Sequence, residues 1–214
     1  WIKRKRLKIL AHRGLWKLPE EKNTIKSFKA AFTSGFGIEL DVRDNNSKLI
    51  VNHDAFANSK DNLLLSEILQ IYLNTSSSEY LAINIKSDGL ADEIKGLIDH
   101  FNIKNYFVFD MSIPEQLSYA RVGLKFFTRV SEYEPHPIML EESDGIWVDA
   151  FERDWYKNDL LLDFLSQQKK ICIVSSELHG RSNNEQWNFL KQFKNSKDIM
   201  LCTDKPNEAK GTFL

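Results

Sequence analysis

Short apolar runs of strand character recur along the 214 residues, with stretches of helical periodicity between most of them, and this alternation restricts the possible folds most tightly. The strand-like segments are 7–11, 37–42, 80–85, 106–109, 125–130, 145–149, 170–174 and 199–202. Helix-like segments fall at 24–33, 64–73, 90–101, 114–121, 155–168 and 184–194, and an extra strand at 48–52 pairs back on the second. Strand followed by helix, repeated about eight times, is the signature of a parallel α/β architecture. The expected fold is a compact (β/α)8 barrel with shortened loops. A doubly wound open sheet is the rival, but no G-x-G-x-x-G loop follows the first strand.

The polar residues that close the strands give this expectation its chemical content. In order they are His12 and Arg13, Glu39 and Asp41, Asn84 and Lys86, Asp110, Arg129, Asp149, Glu177 and His179, then Thr203 and Asp204. A parallel barrel gathers the carboxyl ends of its strands on one rim, where the βα loops build the site. Residues 1–214 are read as a single barrel domain, with 42% hydrophobic residues to fill its core. A net charge of −1 gives no global field to attract nucleic acid, and no apolar run reaches the roughly 18 residues of a membrane span. Cys172 and Cys202 lie inside strand-like runs and are expected to be buried core thiols, as in a reducing, cytoplasmic setting. The basic run Lys3–Arg6 lacks a following apolar region and reads as a solvated end.

Within Gly37-Ile-Glu-Leu-Asp-Val42, the two-residue period of a strand sends Glu39 and Asp41 to the same face. Two carboxylates on an inner face repel one another unless a cation lies between them. A divalent ion, Mg²⁺ or Ca²⁺, suits such oxygen ligands. The alternative is a direct ion pair of one carboxylate with Arg13 or Lys86, with no metal bound. His12 and His53 flank the carboxylates and suit an acid–base couple, while Arg13 and Lys86 would bind phosphoryl oxygens.

Ala11-His-Arg-Gly14, Asn23-Thr24, Ile38-Glu-Leu-Asp-Val42 and Val51-Asn-His-Asp54, with weaker matches at Ala82-Ile-Asn-Ile-Lys86 and Thr203-Asp-Lys-Pro206, resemble the glycerophosphodiester phosphodiesterase family. The resemblance runs over nearly the whole chain. It implies a TIM barrel that hydrolyses a phosphodiester with a divalent metal, a small-molecule substrate and a place in lipid metabolism. It matches His12 and His53 to the acid–base pair, Glu39 and Asp41 to metal ligands, and Arg13 and Lys86 to phosphate contacts. The chain departs from the family at Asn84, where a third acidic ligand is usual; the amide oxygen remains a possible ligand without charge. Asp110 or Asp149 would be the compensating carboxylate. The segment after His53-Asp54 is also shorter than is common in the family, implying a more open pocket.

Farther along, Ser175-Ser-Glu-Leu-His-Gly-Arg181 places Glu177 and His179 on one face if the strand continues, with Arg181 within reach of an anion. These three, with Asp110, Arg129 and Asp149, are candidate substrate contacts, and Arg129 is expected to go with Glu132. Two other functions share the same residues. One is a lyase-type reaction in which a substrate hydroxyl attacks, giving a cyclic phosphate. The other is a barrel weakened at Asn84 that binds a phosphate-containing ligand without turnover.

Overall fold

The computed structural model describes residues 6–55 and 62–214. Lys3–Lys5 of the basic run and most of the segment that follows Asp54 lie outside the described residues. The chain runs β1 (Lys8–His12), α1 (Ile25–Thr33), β2 (Gly37–Asn45), β3 (Lys48–Val51), α2 (Leu65–Asn74), β4 (Leu81–Ile85), α3 (Ala91–His100) and β5 (Tyr106–Phe109). It continues through α4 (Ile113–Arg121), β6 (Phe127–Val130), β7 (Gly145–Val148), α5 (Asn158–Ser166), β8 (Lys170–Val174), α6 (Asn184–Leu190), β9 (Ile199–Thr203) and α7 (Pro206–Phe213). Eight strands pair in parallel in the order β5-β4-β2-β1-β9-β8-β7-β6, and β3 pairs antiparallel with β2. The ends of this order meet at one parallel bridge, Val108 to Phe126, so the sheet closes as a (β/α)8 barrel.

Three differences from the sequence reading have local causes. Pairing in the strand expected at 125–130 becomes regular only at Phe127, because Phe126 makes the single closing bridge to β5. The helix expected from 155 begins at Asn158, since the Trp155 indole donates to the Asp149 carbonyl at 2.7 Å and holds the preceding turn. The terminal helix α7 was not anticipated; it starts on Pro206, whose fixed φ suits a first helical turn, and buries Ala209 and Phe213. Among the described residues no helix is long and apolar enough to cross a membrane.

The strand period sorts residues between two apolar clusters. Ile38, Leu40 and Val42 face outward into the layer shared with the helices. The barrel interior is filled by Leu10, Ala82, Phe107, Phe109, Phe127, Trp147, Cys172, Val174, Met200 and Cys202. Both cysteines are buried free thiols, as expected. Four aromatics dominate this interior: Phe107 stacks on Phe127 at 3.8 Å and Phe109 on Trp147 at 3.9 Å. Such stacked pairs add about 0.5–1.5 kcal/mol each beyond the area they bury. They make the barrel a packed core rather than a pore, and leave its carboxyl-terminal mouth for chemistry.

Candidate active site

Glu39 and Asp41 project inward from β2, at 2% and 0% relative exposure. Asp41 lies opposite Asn84 in the β2–β4 register, and His12 lies opposite Glu39 across β1 and β2. The sheet register therefore assembles His12, Glu39, Asp41 and Asn84 on three adjacent strands.

Asp41 is surrounded by positive groups. The Arg13 Nε stands 2.9 Å from Oδ2 and the Lys86 Nζ 3.3 Å from Oδ1, both as close ion pairs rather than aligned hydrogen bonds. The Asn23 amide donates to Oδ2 at 2.9 Å. Burial alone would raise the Asp41 carboxyl; the Lys86 and Arg13 charges, with the Asn23 hydrogen bond, outweigh it and hold the carboxyl below its ordinary range. The direct ion pair considered from sequence is thus present, with both cations at once.

Glu39 experiences the opposite balance. Full burial, reinforced by the neighbouring Asp41 charge, pushes its carboxyl up to about 7 despite His12, Arg13 and Lys86. Its Oε2 has no hydrogen-bond partner and stands 3.9 Å from the His12 Nε2.

His12 is oriented by a residue at the far end of the chain. Its Nδ1 lies 2.6 Å from the Asp204 Oδ1, which leaves Nε2 on the side of Glu39. This contact follows from barrel closure, which pairs β1 with β9. Burial raises the Asp204 carboxyl, but the His12 hydrogen bond and the His12 and Lys22 charges more than offset it, so the carboxyl stays below its usual range. The sequence places Asp204 on the rim and Asn23 in a family-like stretch without assigning either a role in the site. The signal for Asp204 was its place just beyond the last strand, next to the first in any closed barrel.

The backbone is strained where these groups meet. Arg13 (φ 57°), Asn23 (φ 55°) and Asp110 (φ 69°) occupy the left-handed region that side-chain-bearing residues seldom adopt. Gly14 follows at φ 90°, packed so tightly that a Cβ would lie 2.7 Å from that of Ser27. Ser27 and Thr24 form reciprocal cap bonds at the start of α1, anchoring the turn that carries Arg13.

A cavity of about 190 Å³ opens at the barrel mouth, lined by His12, Arg13, Glu39, Asn84, Asp110, Asp149 and His179, with Phe109 and Trp147 among its apolar walls. His53 is absent from that lining: it is half-exposed beyond β3, with Nδ1 2.9 Å from its neighbour Asp54. A larger cavity, about 500 Å³, lies along the β5–β6 seam and shares Asp110 with the mouth.

Of the remaining candidates, Arg129 lines the larger cavity and Asp149 and His179 line the mouth, while Lys86, Glu177 and Arg181 are in neither lining. Arg129 pairs with Asp110 and Glu134. Glu132, its expected companion, instead accepts from the backbone amides of Phe151, Glu152 and Arg153. The β8 strand stops at Val174 and Ser176–His179 forms a tight 3-10 turn, so Glu177 and His179 do not share a strand face. Glu177 turns back into the fold, accepting from the Ser175 and Thr203 hydroxyls and from the Asp204 amide. His179 lies at the mouth with Nε2 2.7 Å from the Asp149 Oδ1. Arg181 donates to the Asp154 carboxylate at 2.9 Å and the Ala150 carbonyl at 2.6 Å.

The fit of a divalent cation turns on three oxygens. Glu39 Oε2, Asp41 Oδ1 and Asn84 Oδ1 are each buried without a hydrogen-bond partner, which is costly for Glu39 and Asn84, while Asp41 Oδ1 is offset by the Lys86 ammonium at 3.3 Å. Hard cations take carboxylate and amide oxygens of this kind. Among the described residues no group of three His, Cys, Asp or Glu side chains is arranged for a metal, so a cation at this place would need the amide oxygen as well.

No family model matches the sequence, and no curated protein matches it. Solved structures do. A glycerophosphodiester phosphodiesterase from Parabacteroides distasonis is 16% identical, with a TM-score of 0.73 and 98% of each chain covered. A phosphodiesterase from Oleispira antarctica, in complex with the product sn-glycerol-3-phosphate, is 14% identical, with a TM-score of 0.65 over 97% of this chain and 96% of that one. A mutant tryptophan synthase alpha-subunit from Pyrococcus furiosus is 14% identical, with a TM-score of 0.57 over 100% of this chain and 96% of the other. What the three share with this chain is the barrel fold, on which different chemistries are built.

Proposed function

We propose that the chain is a phosphodiester hydrolase acting on a glycerophosphodiester or similar alkyl phosphodiester, releasing glycerol phosphate and an alcohol. The observation that carries this reading is the arrangement around Asp41: Arg13 and Lys86 are both drawn to one buried carboxylate, beside a histidine held by its own carboxylate. Two cations held at one point are a receptor for phosphoryl oxygens and offset the charge that builds on them in the transition state. The Asp204 bond selects the His12 tautomer and leaves Nε2 for proton transfer with the attacking water. His53 is the candidate partner drawn from the sequence. The likeness to phosphodiesterases, one of them holding sn-glycerol-3-phosphate, supports the substrate class.

Glu39, Asp41 and the Asn84 amide oxygen would hold Mg²⁺ or Ca²⁺, which supplies Lewis-acid stabilisation to a phosphoryl group when bound. The protein's own part is then to orient the diester with Arg13 and Lys86 and to move a proton at His12 Nε2. Incubation with small glycerophosphodiesters and either ion, followed by phosphorus NMR, tests the reading. Glycerol phosphate is expected; a cyclic phosphate would assign internal attack instead, and no turnover across the panel would refute the enzyme.

A second reading, a barrel that binds a phosphate-containing ligand without turnover, is favoured by Asn84 and by the engagement of Asp41 with two protein cations. Calorimetric titration separates them: no heat at millimolar Mg²⁺ or Ca²⁺, with phosphate still bound, would favour the binder.

A further inference from the structure

The mouth cavity is lined by two histidines, and each is held by a carboxylate. His12 is bonded to Asp204, on the β1–β9 side. His179, in the turn after β8, has Nε2 2.7 Å from the Oδ1 of Asp149, which closes β7. Asp149 is itself fixed: Oδ1 accepts from the Ala150 amide at 2.8 Å, Oδ2 lies 3.4 Å from the Trp147 Nε1, and the residue is 8% exposed. The Phe151 ring packs against the imidazole at 4.9 Å, which limits its rotation further. Gly180, at φ 72°, turns the chain directly after His179 and lets Arg181 tie the loop down through Asp154 and the Ala150 carbonyl. With Nε2 committed to Asp149, the His179 Nδ1 makes no hydrogen bond to any described residue. A ring so fixed, at the edge of a reaction cavity and with one nitrogen unused, is built as a proton-transfer group.

The geometry points to His179, positioned by Asp149, as the general acid that protonates the departing alcohol in the cavity it shares with His12. This rests on the phosphodiesterase reading and deepens it. As water forms its bond to phosphorus, its proton passes to His12. As the bond from phosphorus to the alkyl oxygen breaks, the proton on His179 Nδ1 passes to that oxygen and releases a neutral alcohol. Exchange with solvent then returns a proton to His179 and removes one from His12. His179 is the catalytic residue of this step and Asp149 its positioning residue.

The test uses two glycerol phosphodiesters that differ only in leaving group, ethanol or p-nitrophenol, with the full chain and Mg²⁺ or Ca²⁺. An alkoxide needs a proton to depart and a nitrophenolate does not. His179→Gln is expected to lose on the order of 10²–10³-fold in turnover of the ethyl diester and less than about tenfold on the nitrophenyl diester. Asp149→Asn should show the same selective loss at smaller size, and it replaces His179→Gln if that variant does not fold. His179 takes the part that the sequence suggested for His53, so His53→Gln, run in parallel, should show no loss selective for the ethyl diester. Equal losses on both diesters for the His179 and Asp149 variants, or a selective loss in His53→Gln alone, would overturn the assignment while leaving the hydrolase intact. Failure of the unaltered protein to cleave either diester would overturn the hydrolase reading and this inference with it.

Discussion

Replacing Glu39 by Gln should stabilise the metal-free protein in alkaline solution and leave it nearly unchanged in mild acid. The reason lies in where the carboxyl sits: wholly buried and beside Asp41, it is pushed from 4.5 up to about 7. The folded chain therefore keeps a proton that the unfolded chain releases between roughly pH 4.5 and 7. Stability linked to Glu39 is fully present below that window and is lost as the pH rises through it. Such a rise corresponds to a cost of roughly 3 kcal/mol once the group is ionised. Asp41, Arg13 and Lys86 readjust when Glu39 ionises, so a net effect of about 1–3 kcal/mol is expected. Gln has nearly the same shape and no charge to desolvate. Urea denaturation at pH 5 and pH 8 with chelator present reads this directly. In thermal unfolding, a chain of this size shifts by roughly 2–4 °C for each kcal/mol. Glu39→Gln should lie within about 1 kcal/mol of the unaltered protein at pH 5, just inside that window, and exceed it by more at pH 8. An equal loss of stability at both pH values would refute the reasoning, because the residue would then act through packing or hydrogen bonding rather than charge. Millimolar Mg²⁺ or Ca²⁺ at pH 8 should reverse the order, stabilising the unaltered protein by mass action and the variant little.

Three further outcomes test the neighbouring groups. Gly14→Ala places a methyl 2.5 Å from the Ser27 Oγ at a φ of 90°, and should cost about 2–4 kcal/mol in urea denaturation while displacing Arg13; a loss below about 0.5 kcal/mol would show the turn is not tight. Asp204→Asn should keep the fold by circular dichroism yet lower diester turnover on the order of 10²–10⁴-fold, because an amide no longer selects the His12 tautomer; unchanged turnover would remove His12 from proton transfer. Asn84→Glu adds a carboxylate beside Asp41 and should tighten Mg²⁺ or Ca²⁺ binding about tenfold or more by calorimetry; unaltered affinity would mean that residue 84 is no ligand.

How much of this site is written in the sequence follows from the range of the forces involved. Glu39 and Asp41 share a face because strand side chains alternate, and the order of strands and helices follows from apolar periodicity; both are local properties that any reading of the chain recovers. The clustering of polar residues at the strand ends was legible for the same reason. Which of those residues meet is a different matter. His12 finds Asp204 192 positions away because closure pairs β1 with β9. Asp41 is matched by Arg13, Lys86 and Asn23 because a bend after β1 and the β2–β4 register bring three separate segments to one buried carboxylate. Glu177 turns inward and His179 reaches the mouth because β8 stops at Val174, where a strand running on to His179 would have set them on one face. By itself, the sequence determined the barrel and the residue types at its rim. Only the tertiary structure decided their partners, since burial and opposing charge act across space and depend on which strands the closed sheet makes neighbours.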